Sequence, residues 1–186
     1  MYDTRIFPIS HLRESLIDVL SGFFRLDPAM LDQQFSRYLR DWFEQLRDDL
    51  YVCIEAPYVD RVYRDSYCMY YASKYGFYDR DCVKVSFFST AISETDFRSA
   101  EGYGRLTNYY LGFCVLRPTE PNFIGRNVIH PDTFKQNRSF NYCSALFQSS
   151  ANCLRFSVEG FPHSSQDGET YSCAETTLWS LMEYFG

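Results

Sequence analysis

Residues 163–175 carry an imidazole, a thiol and three carboxylates in one short stretch, as His163, Asp167, Glu169, Cys173 and Glu175. Ser172 and Glu175 stand in the S-x-x-E relation of a capping box: the serine oxygen takes the amide of the third helical residue, and the glutamate returns to the serine amide. That spacing predicts a helix whose first residue is Cys173. Unpaired amides and the macrodipole favour an anion at a helix start, and they pull a thiol pKa below its free value of about 8.5. Cys173 is therefore a candidate nucleophile. His163 reaches it across the loop on this reading, with Asp167 as the orienting acid. Against this stands a plainer reading, in which Cys173 opens a core helix, because cysteine is among the most buried residue types.

The elements that must hold these groups follow from periodicity. Ala174, Leu178, Leu181, Met182 and Phe185 recur at helical spacing and predict a buried C-terminal core helix. Residues 10–24 predict a first amphipathic helix through Leu12, Leu16, Val19, Leu20 and Phe23. Asp27 and Pro28, an N-cap and a first-turn proline, open a second helix running to Leu50. Residues 50–56 read as a buried strand ended by Pro57, and Asp60 caps a tyrosine-rich helix closed by Gly76 in a left-handed C-cap. Residues 82–89 are a second strand, so strand, helix and strand suggest a crossover unit. Residues 90–108 read as loop. A strand over 109–119, its hairpin partner over 122–129, and strands over 140–148 and 153–158 lead to the turn Gly160-Phe161-Pro162. The expected fold class is α+β: an N-terminal helical hairpin appendage (1–50), then a body (51–186) of mostly antiparallel sheet with one crossover helix and the buried cysteine helix.

Composition narrows the function classes. Apolar residues make up 46% of the chain, with 17 Phe and 16 Tyr, which excludes disorder. A formal charge of −6 without any Lys/Arg run argues against nucleic-acid or anionic-membrane surfaces. No apolar stretch approaches the roughly 20 residues of a membrane span, and the N-terminus lacks a signal-peptide layout, so a cytoplasmic location is expected. The seven cysteines are odd in number and never form C-x-x-C, so neither a disulfide framework nor a zinc knuckle is expected. Six of them read as small core residues. No metal or cofactor site is expected. His11 and His130 read as structural; Glu55, Asp60 and Asp65 read as a strand-end acid, a helix cap and a surface residue.

Gly160-Phe161-Pro162, Gln166 and Cys173-Ala174, together with the upstream LRPT and IGR segments, resemble the papain-like cysteine peptidases. The nearer likeness is to bacterial proteins similar to bacteriocin-leader peptidases. The resemblance implies that Cys173 attacks a carbonyl as a thiolate, and that the Gln166 side chain and the Cys173 amide form the oxyanion hole. Gln166 stands one position further from the cysteine than in papain, and Y-S-C-A replaces G-S-C-W. In the family the general-base histidine comes far beyond the cysteine, whereas this sequence ends soon after it. Three expectations follow: the chain is the N-terminal, nucleophile-bearing part of a papain-like peptidase completed by a C-terminal remainder or companion subunit, or a degenerate homologue, or His163 serves as the base. The expected partner is a peptide or protein substrate. The alternative is a non-catalytic interaction module whose tyrosine-rich surface, around Tyr63–Tyr75 and Tyr103–Tyr110, binds a protein.

Overall fold

Strands β2 (Tyr51–Tyr58), buried over 52–56, and β3 (Cys82–Phe88), buried throughout, lie between the two cores of the chain. Side chains alternate across a strand. Val52, Ile54, Val83, Val85 and Phe87 enter one core, whereas Cys53, Cys82 and Phe88 enter a second on the opposite face. The computed structural model describes residues 3–76, 78–119, 122–135, 143–166, 169–170 and 173–186. Among them β1 (Asp3–Pro8), β4 (Tyr110–Leu116), β5 (Ile124–Ile129), β6 (Ala145–Ala151) and β7 (Leu154–Ser164) complete a seven-stranded sheet. Its order is β1-β2-β3-β4-β5-β7-β6, and every neighbouring pair is antiparallel. The protein is thus α+β in class.

The helices cover both faces. Helix α1 (Leu12–Phe24) buries Leu12, Leu16, Val19 and Leu20 against the first core. Helix α2 (Pro28–Gln34) starts where the Asp27 carboxylate accepts from the Ala29 amide at 3.0 Å, with Pro28 in the first turn. A π-helical turn (Phe35–Leu39) joins it to α3 (Arg40–Glu44), and Leu31, Phe35 and Leu39 enter the same core. This hairpin therefore shares a continuous core with the sheet. On the other face, α4 (Arg61–Met69) and α5 (Ala100–Tyr109) enclose an aromatic core that includes Tyr63, Phe97, Tyr110, Phe113 and Phe156. Among the described residues no helix is long and apolar enough to cross a membrane.

Several sequence expectations are corrected. Helix α4 connects antiparallel neighbours, so there is no crossover unit. Gly76 has no left-handed φ; among the described residues the glycine that does is Gly112, at +116°. Pro57 does not end β2, which passes through it to Tyr58. The loop expected over 90–108 contains α5, whose Ser99 Oγ accepts from the Gly102 amide at 3.0 Å. Two glycines weaken the helical pattern there, yet Gly102 is needed, because a Cβ would lie 2.5 Å from the Asp96 Cα. Gly160-Phe161-Pro162 forms no turn and lies inside β7.

The largest correction concerns helix α6 (Cys173–Phe185), which forms but does not bury its apolar stripe. Leu178, Met182 and Phe185 are 59%, 65% and 80% exposed. The helix lies along β7 by another side: Thr176 is buried, Trp179 and Ser180 are half-buried, and the Tyr184 ring lies 5.9 Å from that of Phe161. Positions 176, 180 and 184 follow one helical ridge, turned away from 178, 182 and 185. The sheet centre is already occupied by α1–α3 and α4–α5, so a hydrophobic stripe alone could not bring α6 into it.

Candidate active site

The site begins with a cross-strand pair. Antiparallel register places Asn127 of β5 directly opposite His163 of β7. The buried Asn127 amide Nδ2 donates to Gly125 O at 3.1 Å and lies 3.1 Å from His163 Nδ1. An amide nitrogen can only donate, so Nδ1 accepts and the neutral ring carries its proton on Nε2. His163 is exposed, and partial desolvation of its ring pulls the pKa below its ordinary value, which keeps the ring neutral near pH 7.

Past Ser164, the last residue of β7, the chain leaves the sheet as Ser165 and Gln166. Its exit is tied down by the buried Arg117, whose Nη2 donates to Ile124 O at 3.0 Å and to Ser165 O at 2.9 Å. A cavity of about 600 Å³ opens beside this anchor. His163, Ser165 and Gln166 form one wall, and Thr176, Ser180 and Leu181 of α6 form the other. The structure therefore brings His163 and Gln166 together with the helix that Cys173 opens. The Cys173 side chain, Ser172 and Asp167 lie outside the described residues, and with them the capping box and the expected Asp167–His163 contact.

Sequence reasoning missed Asn127 as the partner of His163. The signal existed only in the register, which no local pattern specifies. It also missed Lys84, which is wholly buried. Lys84 stands opposite Glu55 in the β2–β3 ladder. Its Nζ donates to Ser149 Oγ at 2.8 Å and to Ser150 O, and lies 4.8 Å from the ring centroids of both Tyr58 and Phe113. Burial pulls its pKa down to about 8. Glu55 Oε1 accepts from the Asn152 amide at 3.0 Å, so this acid ties two hairpins together and is more than a strand end. Asp60 caps α4 through the Tyr63 amide at 3.0 Å and pairs with Arg126 Nε at 3.2 Å.

The other cysteines divide into two sets. Cys53, Cys82 and Cys114 are buried, and burial pushes their thiols up, that of Cys114 to about 12. Such thiols are poor nucleophiles. Cys68, Cys143 and Cys153 are exposed, contrary to the core role expected of them. His11 is exposed at the start of α1, and His130 Nδ1 accepts from the Asp132 amide at 3.2 Å.

Comparison with protein-family models, curated proteins and solved structures finds no match for this chain.

Proposed function

We propose that the chain is the nucleophile-bearing part of a papain-like thiol acyl-transfer enzyme acting on a peptide or protein. The observation that carries this reading is the shared cavity of His163, Gln166 and α6, the helix whose first residue is Cys173. In the proposed reaction the Cys173 thiolate, favoured at a helix start, attacks the substrate carbonyl carbon. The carbonyl electron pair moves to oxygen, where the Gln166 side-chain amide and the Cys173 backbone amide hold it. Collapse expels the leaving group and leaves a thioester, which water hydrolyses.

His163 has a narrower role in this reading than the sequence suggested. Asn127 occupies its Nδ1 lone pair, so the ring offers an Nε2–H donor to the cavity and the general base is a different group. A reducing cytoplasmic setting fits the exposed Cys68, Cys143 and Cys153, which would otherwise oxidise. The test is thiol reactivity. Iodoacetamide at neutral pH, read by peptide mass spectrometry, should label Cys173 about tenfold faster than Cys68 or Cys153. Labelling no faster than theirs rejects the nucleophile.

A non-catalytic interaction module is the second reading. The exposed Leu178, Met182 and Phe185 of α6 favour it, while the tyrosines first suggested for that role divide: Tyr63, Tyr71 and Tyr110 are buried and Tyr75, Tyr103 and Tyr109 are exposed. An unreactive Cys173 selects this second reading.

A further inference from the structure

A second cavity, of about 370 Å³, lies among Tyr58, Arg126, Gln148, Ser149, Ser150 and Arg155. Arg126 precedes Asn127 on β5, so it projects from the face opposite the His163 pair. Among the described residues no carboxylate lines this cavity, although the chain as a whole carries a net charge of −6.

The charges around it leave a defined excess. Arg126 is matched by Asp60, and the buried Lys84 is opposed by Glu55 in the β2–β3 register. Among the described residues Arg155 forms no ion pair, so the group carries one positive charge over. Lys84 stands directly behind the wall, with its Nζ bonded to Ser149 and Ser150. A buried charge acts there through protein and not through water, which strengthens its field in the cavity. The Arg126 guanidinium carbon lies 5.3 Å from the Phe113 ring centroid, a stack that fixes its plane while its Nε is held by Asp60. The Tyr58 pKa is raised by burial, so its phenol stays protonated.

A fixed guanidinium plane and one excess charge suit a planar monoanion, because arginine and carboxylate meet through parallel N–H···O bonds. We infer that this cavity binds a ligand carboxylate between Arg126 and Arg155. The inference is independent of Cys173 and of the acyl-transfer reading.

The test uses the intact chain and three small probes: propionate, its neutral isostere propionamide, and inorganic phosphate. Arginine Nε–H signals are followed by NMR during titration. Propionate should shift Arg126 and Arg155 saturably, propionamide should not, and Arg155→Gln should weaken propionate about tenfold while Arg155→Lys restores part of the loss. Arg155 is exposed, so its replacement leaves the fold intact, and unchanged Arg126 cross-strand signals confirm that. A linear, unsaturable response, equal binding of propionamide, or an unaltered Arg155→Gln variant overturns the inference. Tighter binding of phosphate than propionate overturns it equally, since the site would then be built for a tetrahedral dianion.

Discussion

Asn127 and His163 face each other across the β5–β7 ladder, the amide nitrogen donating to the imidazole at 3.1 Å. Partial desolvation lowers the ring's pKa, and the Asn127 donor occupies the lone pair that a proton would take, which acts in the same direction. Asn127→Leu should therefore raise the His163 pKa toward the ordinary 6.5. NMR titration of the ring, with His11 and His130 as internal references, measures this; an unchanged or lower value sinks the assignment. Because the folded-state pKa lies below the unfolded one, the stability that His163 contributes is full above pH 6.5 and is lost as pH falls toward the folded value. The Leu variant should lose less stability over that same fall.

Lys84 gives the opposite end of the pH scale its own dependence. Its folded-state pKa falls from 10.5 to about 8, so its contribution is present above pH 10.5 and is lost as pH drops through about 8. Keeping the ammonium charged at neutral pH costs about 3 kcal/mol. Lys84→Met alone should still destabilise by roughly 3–5 kcal/mol, because Glu55 then lies buried opposite no cation. Adding Glu55→Gln should recover most of that loss. Urea unfolding of the two variants at pH 7 decides between a matched pair and two unrelated residues, the latter giving additive losses.

Two glycines should respond in opposite ways to alanine. At Gly112, φ is +116° and a Cβ would stand 2.1 Å from Val128 O, whereas at Gly22 in α1 nothing lies within 4 Å. Gly112→Ala should cost about 2–4 kcal/mol. Gly22→Ala should stabilise by roughly 0.5–1 kcal/mol through helix propensity. Chemical denaturation midpoints provide the comparison, and equal effects would show that the β4 geometry is not what holds Gly112 in place.

Helix α6 offers a direct contrast between periodicity and burial. With Leu178 and Met182 exposed, Leu178→Gln and Met182→Gln should each change stability by less than about 0.5 kcal/mol. If the stripe were buried as its spacing suggests, each would cost about 2–5 kcal/mol. Thermal melts of the single variants settle which side of α6 carries it.

The legible part of the fold was the part written in local patterns. The stripe of Leu12, Leu16, Val19 and Leu20, the Asp27-Pro28 start, the Asp60 cap and the apolar runs of β2, β3 and β4 all read correctly. Helix α5 did not, because Gly102 is retained for close approach to Asp96 at the expense of helix propensity. Strand β1 did not either, since DTRIFP alternates weakly and owes its place to pairing with β2. For the site, Gln166 and His163 were visible as residue types near the cysteine. Asn127 was not, because its closeness to His163 comes from a ladder between strands 36 positions apart. Lys84 was hidden by a strand that reads as apolar on both sides.

The Asp60 carboxylate serves two elements at once, accepting from the first turn of α4 with one oxygen and from Arg126 of β5, 66 positions later, with the other. A local helix start is thereby made dependent on a distant strand, and distant contacts form slowly because loop closure must come first. The first turn of α4 consequently matures with β5 and opens with it, so the two should form one cooperative unit in native-state hydrogen exchange. Amide protection of Tyr63 and Arg64 that survives when Arg126→Met loosens β5 would separate them.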